Sequence, residues 1–156
     1  INDSKVYILG TGGAAIGALE ATIGKNVTIV GRNLDKLKLL AEKYKVKYIK
    51  LDEFSEEKSY YQVINCLPPT VNIDKFLSNK CNLIDMSYGI HNLDKDSLST
   101  AYSELCNMVN GYDILYVQAA YQYMEWFGDE IEFDKILTEY NKAINEFLDN
   151  KYLNNI

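Results

Sequence analysis

Residues 5 to 17 read Lys5-Val-Tyr-Ile-Leu-Gly10-Thr-Gly12-Gly13-Ala14-Ala15-Ile16-Gly17: an apolar run, a turn dense in glycine, then small residues that continue as a helix. No other stretch restricts the fold as much. A short apolar run that stops at glycines and resumes as a helix is a strand–turn–helix unit. Gly10 permits the tight turn. Gly12 removes a side chain where the backbone must approach another group closely, and Ala15 is the small third residue of a G-x-G-x-x-G/A spacing. The helix start, at Gly13 and Ala14, offers free N–H groups and the positive end of the helix dipole. Such a unit suits the pyrophosphate of a dinucleotide.

The next strand, Asn26-Val-Thr-Ile-Val30, leads into Gly31-Arg32-Asn33. A domain selective for NAD places Asp or Glu here, about 20 residues past the glycines, to hold the ribose hydroxyls. This chain has Arg32, with Asn33 beside it and Lys36 one helical turn on. Two cations without a carboxylate suit a 2′-phosphate, which a guanidinium binds in a forked, charge-assisted geometry. Without the glycines, the same residues would read as a solvated Arg and Lys on a surface helix. Together the two sites point to NADP. Asp35 lies within the helix and reads as a partner for its dipole.

The 156 residues suffice for one domain with a buried core. Sixteen Lys plus Arg against 22 Asp plus Glu give a net charge of −6. With no basic run, a nucleic-acid partner is not expected, and the apolar runs are too short for a membrane span. The chain begins at Ile1, without methionine, and leads almost directly into a strand, which suggests a piece of a longer polypeptide. Cys66, Cys81 and Cys106 are odd in number and widely spaced. They read as reduced thiols of a cytoplasmic protein. The single histidine, His91, cannot build a His-rich metal site, reads as a loop residue, and leaves no metal expected.

Strand and helix patterns alternate through the first half: strands at Lys5–Leu9, Asn26–Val30 and Val46–Ile49, and helices at Gly13–Ile23 and Leu34–Tyr44. Leu34, Leu37, Leu40 and Ala41 give the second helix one apolar face. Asp52–Lys58 reads as loop or short helix. Gln62–Asn65 and Asn82–Asp85 read as buried parallel strands. This alternation implies βαβ units with right-handed crossovers: an α/β, doubly wound, Rossmann-like fold, its mainly parallel sheet flanked by helices. Helical patterns rich in aromatic residues follow at Asp113–Phe127 and Phe133–Leu148, separated by Gly128. The expected organisation is one NADP-binding domain over residues 1–149 and a frayed tail over 150–156.

Five segments, in order, resemble the C-terminal, cofactor-binding domain of the shikimate dehydrogenase family. Gly10-Thr-Gly-Gly-Ala-Ala-Ile-Gly17 is similar to its G-A-G-G-A-x-R-G/A loop, and Gly31-Arg-Asn-Leu-Asp-Lys36 to its N-R-T-x-x-R/K signature for the 2′-phosphate. Ile64-Asn65-Cys66 resembles I-N-A-T, and Ile84-Asp85-Met86-Ser87-Tyr88 the V-D-x-x-Y strand end. Most specific is Asn110-Gly111-Tyr-Asp-Ile114-Leu-Tyr-Val-Gln118-Ala-Ala, close to N/D-G-x-x-M-L-x-x-Q-A-A. The resemblance implies reversible, NADP-dependent reduction of 3-dehydroshikimate to shikimate in aromatic amino acid biosynthesis. It puts Asn65, Cys66, Gly111 and Ile114 on the nicotinamide side of the cofactor. Gln118 would hydrogen-bond a substrate hydroxyl, with Tyr88 nearby. Taken alone, a helical Gln118 is more often a surface or packing amide, Tyr88 is one of 13 tyrosines, and Asn65 could bind backbone in a turn.

The chain departs from the family pattern at several points. Ile16 stands where the family has Arg, Asn33 where it has Thr, and Ile114 where it has Met. Leu67-Pro68-Pro69 replaces the Thr-rich continuation, and Tyr88 lacks the usual Pro and Thr after it. Hydride transfer to a ketone also needs a proton donor for the developing alkoxide. The family's catalytic Lys and Asp belong to an N-terminal substrate domain, and no matching segment occurs here. Tyr88 is only a weak substitute, because an unperturbed tyrosine titrates near pH ~10. The expectation is therefore a chain that binds cofactor and does not turn over, its substrate shared with an N-terminal domain of the same polypeptide. The alternatives are a non-catalytic NADP-binding module, a quinate or shikimate-like dehydrogenase, and another Rossmann dehydrogenase. A homodimer is compatible with all of them.

Overall fold

The computed structural model describes residues 4–55, 59–87, 106–128 and 132–153. The chain divides into two compact units, Ile1–Gly111 and Tyr112–Ile156. The first unit is a six-stranded sheet of β1 (Lys5–Leu9), β2 (Val27–Gly31), β3 (Lys47–Lys50), β4 (Tyr61–Asn65), β5 (Cys81–Asp85) and β6 (Asn107–Val109). The strand order is β3-β2-β1-β4-β5-β6, and all five pairings are parallel. The order reverses between β1 and β4, the switch point at which doubly wound sheets bind ligands.

A parallel sheet is stable only with both faces covered, so its strands are apolar throughout. β1 and β2 follow that rule, and Ile8, Leu9, Ile29 and Val30 are fully buried. On one face, α1 (Gly13–Ala21) and α2 (Leu34–Tyr44) bury Ala15, Ala18, Leu19, Leu37 and Leu40 against Val6, Ile8, Val27, Ile29 and Ile64. On the other, the segments after β3 and β4 close over Tyr7, Leu9 and Val63 with Phe54, Leu67, Ile73 and Phe76. There the Tyr7 and Phe54 rings meet edge to face with centroids 5.1 Å apart. The buried Tyr61 hydroxyl donates to the Phe76 carbonyl at 3.0 Å, which spares it an unpaired polar group.

The second unit comprises two helices, α3 (Gly111–Phe127) and α4 (Phe133–Leu153). The Tyr121 and Phe133 rings meet between them, tilted by 48° with centroids 5.0 Å apart. Gly128 ends α3 at φ +75°, the left-handed conformation that glycine adopts most easily, and its N–H returns to the Met124 carbonyl. α4 continues past Leu148 to Leu153, beyond the last strong apolar repeat.

The architecture matches the expected doubly wound class, with a sheet that is wholly parallel. α2 has the expected bounds, and β1 to β5 lie within one residue of theirs. α1 stops at Ala21 instead of Ile23, because Thr22 donates its hydroxyl to the Ala18 carbonyl and Gly24 turns the chain at φ +82°. The sequence pattern gave no indication of β6. Of Asp52–Lys58, the described part is irregular. Tyr88 and His91 lie outside the described residues, as do residues 154–156 of the tail; residues 150–153, expected to fray, continue the last helix.

Candidate dinucleotide site

The carboxyl ends of β1, β2, β4 and β5 form one edge of the sheet, and most of the expected site residues meet there. Leu9 ends β1, and Gly10 follows at φ +116°. Its N–H donates to the Val30 carbonyl at 2.7 Å. A Cβ on Gly10 would stand 2.9 Å from the Cys66 carbonyl oxygen, so the glycine turn and the segment after β4 touch here through bare backbone.

Gly12 caps α1 with no side chain of its own, and the first turn contains no acidic residue. Gly12, Gly13 and Ala14 are exposed, and a Cβ on either glycine would meet nothing within 4 Å. The start of the helix is therefore open to solvent beside the switch point. Ala15, by contrast, is fully buried against the sheet. The arrangement fits a pyrophosphate: free donors, a positive dipole end and room for close approach.

Arg32 follows directly from β2, exposed, with Lys36 exposed in the first turn of α2. Neither forms an ion pair among the described residues. The Asn33 side chain has a local task. Its Oδ1 accepts the Lys36 backbone N–H at 3.0 Å and caps α2. This fixes the helix start and so the direction in which Arg32 and Lys36 leave the backbone.

Asn65 is buried at the tip of β4, where its Oδ1 accepts the Leu67 N–H at 3.1 Å and its Nδ2 donates to Asp85 Oδ1 at 2.9 Å. Cys66 lies beside the glycine turn. Burial pushes its thiol up to about 12, and the charge of Asp85 adds to the shift. Burial likewise holds Cys106 at about 12, helped by Cys81, to which it hydrogen-bonds. Thiolates are the reactive species, so neither thiol suits a nucleophilic role near neutral pH. Native chain at pH 8 should resist an aromatic disulfide reagent, and all three cysteines should react once it is denatured. Labelling of Cys66 at the rate of an exposed thiol would contradict this. The same shift weakens the fold as pH rises from about 9 toward 12, because unfolded thiols ionise there before folded ones do.

Gly111 follows β6 and packs against the tip of β5. A Cβ there would lie 2.4 Å from the Ser87 carbonyl oxygen and 3.1 Å from that of Asp85. Only glycine fits. Gly111→Ala should destabilise the chain by about 1–3 kcal/mol. Thermal unfolding without ligand would show it, and an unchanged midpoint would mean the β5 tip yields freely. Ile114 and Gln118 lie on α3 in the second unit, half-buried and exposed, at the i, i+4 spacing that shares a helix face.

Asp85 and Ser87 are additional residues of this edge. A strand-end resemblance flagged their segment, but their role rests on contacts across the sheet that no local pattern encodes.

No protein-family model matches the chain. It is 32% identical over 133 residues to the shikimate dehydrogenase (NADP(+)) of Ignicoccus hospitalis, covering 80% of this chain and 49% of that protein. Against the shikimate dehydrogenase (NADP(+)) of an Exiguobacterium species it is 31% identical over 131 residues, covering 79% and 48%. The solved structure of shikimate 5-dehydrogenase from Thermus thermophilus, in complex with NADP(H) and shikimate, superposes with a TM-score of 0.66 at 19% identity, over 88% of this chain and 54% of that one. The chain spans about half the length of these relatives. Over that half it is similar to the shikimate dehydrogenases, and its parallel sheet with flanking helices has the Rossmann-like fold of the solved structure.

Proposed function

We propose that this chain is the NADP-binding half of an enzyme of the shikimate dehydrogenase type, which reduces 3-dehydroshikimate to shikimate reversibly. One observation carries the reading: the open glycine turn at the switch point lies beside the end of β2, where Arg32 follows the strand and Lys36 stands in the first turn of α2, with no carboxylate at the strand tip for ribose hydroxyls. Gly10, Gly12, Gly13 and Ala14 would hold the pyrophosphate through backbone, and Arg32 and Lys36 the 2′-phosphate, with Asn33 fixing their helix. Asn65, Cys66, Gly111 and Ile114 are proposed on the nicotinamide side. Bound NADP supplies a ring carbon that takes or gives a hydride.

This chain's own part is then positioning. Holding two carbons in line while excluding water accounts for much of such a reaction. Gln118 is proposed as the amide that orients a substrate hydroxyl, since a polyhydroxylated ring calls for neutral donors and acceptors. Tyr88, by its resemblance to the family's strand-end tyrosine, is proposed as a second substrate contact. The proton donor is proposed to lie in an N-terminal substrate domain of the same polypeptide, so the isolated chain would bind cofactor without turnover. This accords with the curated relatives being about twice as long as the matched segment. No described helix is long and apolar enough to cross a membrane, and we propose a cytoplasmic enzyme.

The deciding experiment is NADP⁺ reduction by the intact gene product with shikimate, with quinate and with neither, beside the isolated chain. Turnover with shikimate by the intact product alone is the expected result. Turnover with quinate only would change the substrate. NADP⁺ binding without turnover in every case would make the chain a binding module.

A further inference from the structure

At the nicotinamide-side edge, the Asp85 carboxylate serves as an internal anchor. Asp85 ends β5, Asn65 ends β4, and the two are register partners. Both are buried, at 6% and 3% exposure. Asp85 Oδ1 accepts three hydrogen bonds: from Asn65 Nδ2 at 2.9 Å, from the Ser87 N–H at 3.0 Å and from the Ser87 hydroxyl at 2.7 Å. Among the described residues no cation pairs with it. Asn65 passes the constraint on, since its Oδ1 holds the Leu67 N–H.

The chemistry leaves Asn65 one orientation. A carboxylate accepts only, so the amide nitrogen must face Asp85, and the amide oxygen must then face the Leu67 N–H. One buried carboxylate thus fixes the backbone on both sides of the β4–β5 tip. The segment after β4 lies against Gly10, where Cys66 donates its N–H to the Leu9 carbonyl at 2.9 Å. The segment after β5 lies against Gly111, at the Ser87 carbonyl. Both of these backbone segments depend on one side chain.

In a doubly wound sheet the dinucleotide crosses the switch point, so a 2′-phosphate end at β2 puts the other nucleotide over β4 and β5. We infer that Asp85, acting through Asn65 and Ser87, is a positioning residue that holds the wall for the nicotinamide half of the cofactor while leaving the adenosine half untouched. This rests on the NADP-binding reading above.

The test is calorimetric titration of the whole chain with two ligands: NADP⁺, and adenosine 2′,5′-bisphosphate, which keeps the phosphorylated adenosine and lacks the nicotinamide. Asp85→Ala leaves three donors without an acceptor and should weaken NADP⁺ by about tenfold or more, the scale of losing hydrogen bonds to a charged group. Bisphosphate affinity should stay within about twofold of wild type, because independent sites do not couple. Asp85→Asn keeps an acceptor oxygen and should fall between. It also provides the same comparison if the alanine variant does not fold. Equal losses for both ligands would make Asp85 a fold residue only, and unchanged NADP⁺ affinity would remove it from the site. Both results overturn the inference. A wild-type chain that binds neither ligand would sink the NADP reading itself, and this inference with it.

Discussion

Replacing Arg32 by alanine is expected to weaken NADP⁺ roughly ten- to a hundredfold while leaving NAD⁺ nearly unchanged. A hydrogen bond to a charged group is worth about 1.5–3 kcal/mol, and each ~1.4 kcal/mol is tenfold in affinity. Arg32 is exposed and has no ion-pair partner among the described residues, so a 2′-phosphate need not compete with a carboxylate for it. Lys36→Ala should act in the same direction and less strongly, since an ammonium offers a point charge where guanidinium offers a fork. Titration of each variant with both cofactors is the check. Equal loss for NADP⁺ and NAD⁺ would show that Arg32 does not bind the 2′-phosphate.

The glycine turn gives the second large effect, and there two neighbouring glycines should fail in different ways. Gly10→Ala puts a side chain on a backbone at φ +116° and 2.9 Å from the Cys66 carbonyl oxygen. Backbone strain of this kind costs about 1–3 kcal/mol, and overpacking adds a cost of similar size. At roughly 2–4 °C per kcal/mol for a chain of this length, the melting temperature should fall visibly without any ligand. Gly12→Ala meets nothing within 4 Å and has an ordinary φ of −90°. Its stability should hold while NADP⁺ affinity drops, because the methyl occupies the approach to the helix N-terminus. Unchanged affinity in Gly12→Ala would argue against a phosphate there.

The contrast between these residues explains what the sequence could and could not disclose. The glycine turn and Arg32 are local devices, and their spacing along the chain is also their spacing in space. β1, β2 and α2 were legible for the same reason, through runs and repeats that a short window captures. The Asp85–Asn65 bond joins residues 20 apart in the chain, and its existence depends on which strands pair and in what register. β6 is only Asn-Met-Val, exposed at both ends, and pairing with β5 makes it a strand. The Asn110–Ala120 motif marks Gly111, but its close approach to the β5 tip follows from the fold and not from the motif.

The strand order also bears on how the chain is built. The central strand β1 pairs on one side with β2, some 20 residues away, and on the other with β4, some 55 residues away. A chain growing from its N-terminus can therefore complete β1–β2–β3 early but leaves one side of β1 unpaired until residue 65 has emerged. During that interval an apolar strand presents open backbone, the arrangement that invites association with other chains. The same side of β1 continues into the glycine turn, so the site takes shape only when β4 closes that edge. Maturation of the binding loop and removal of the association hazard are thus one folding event.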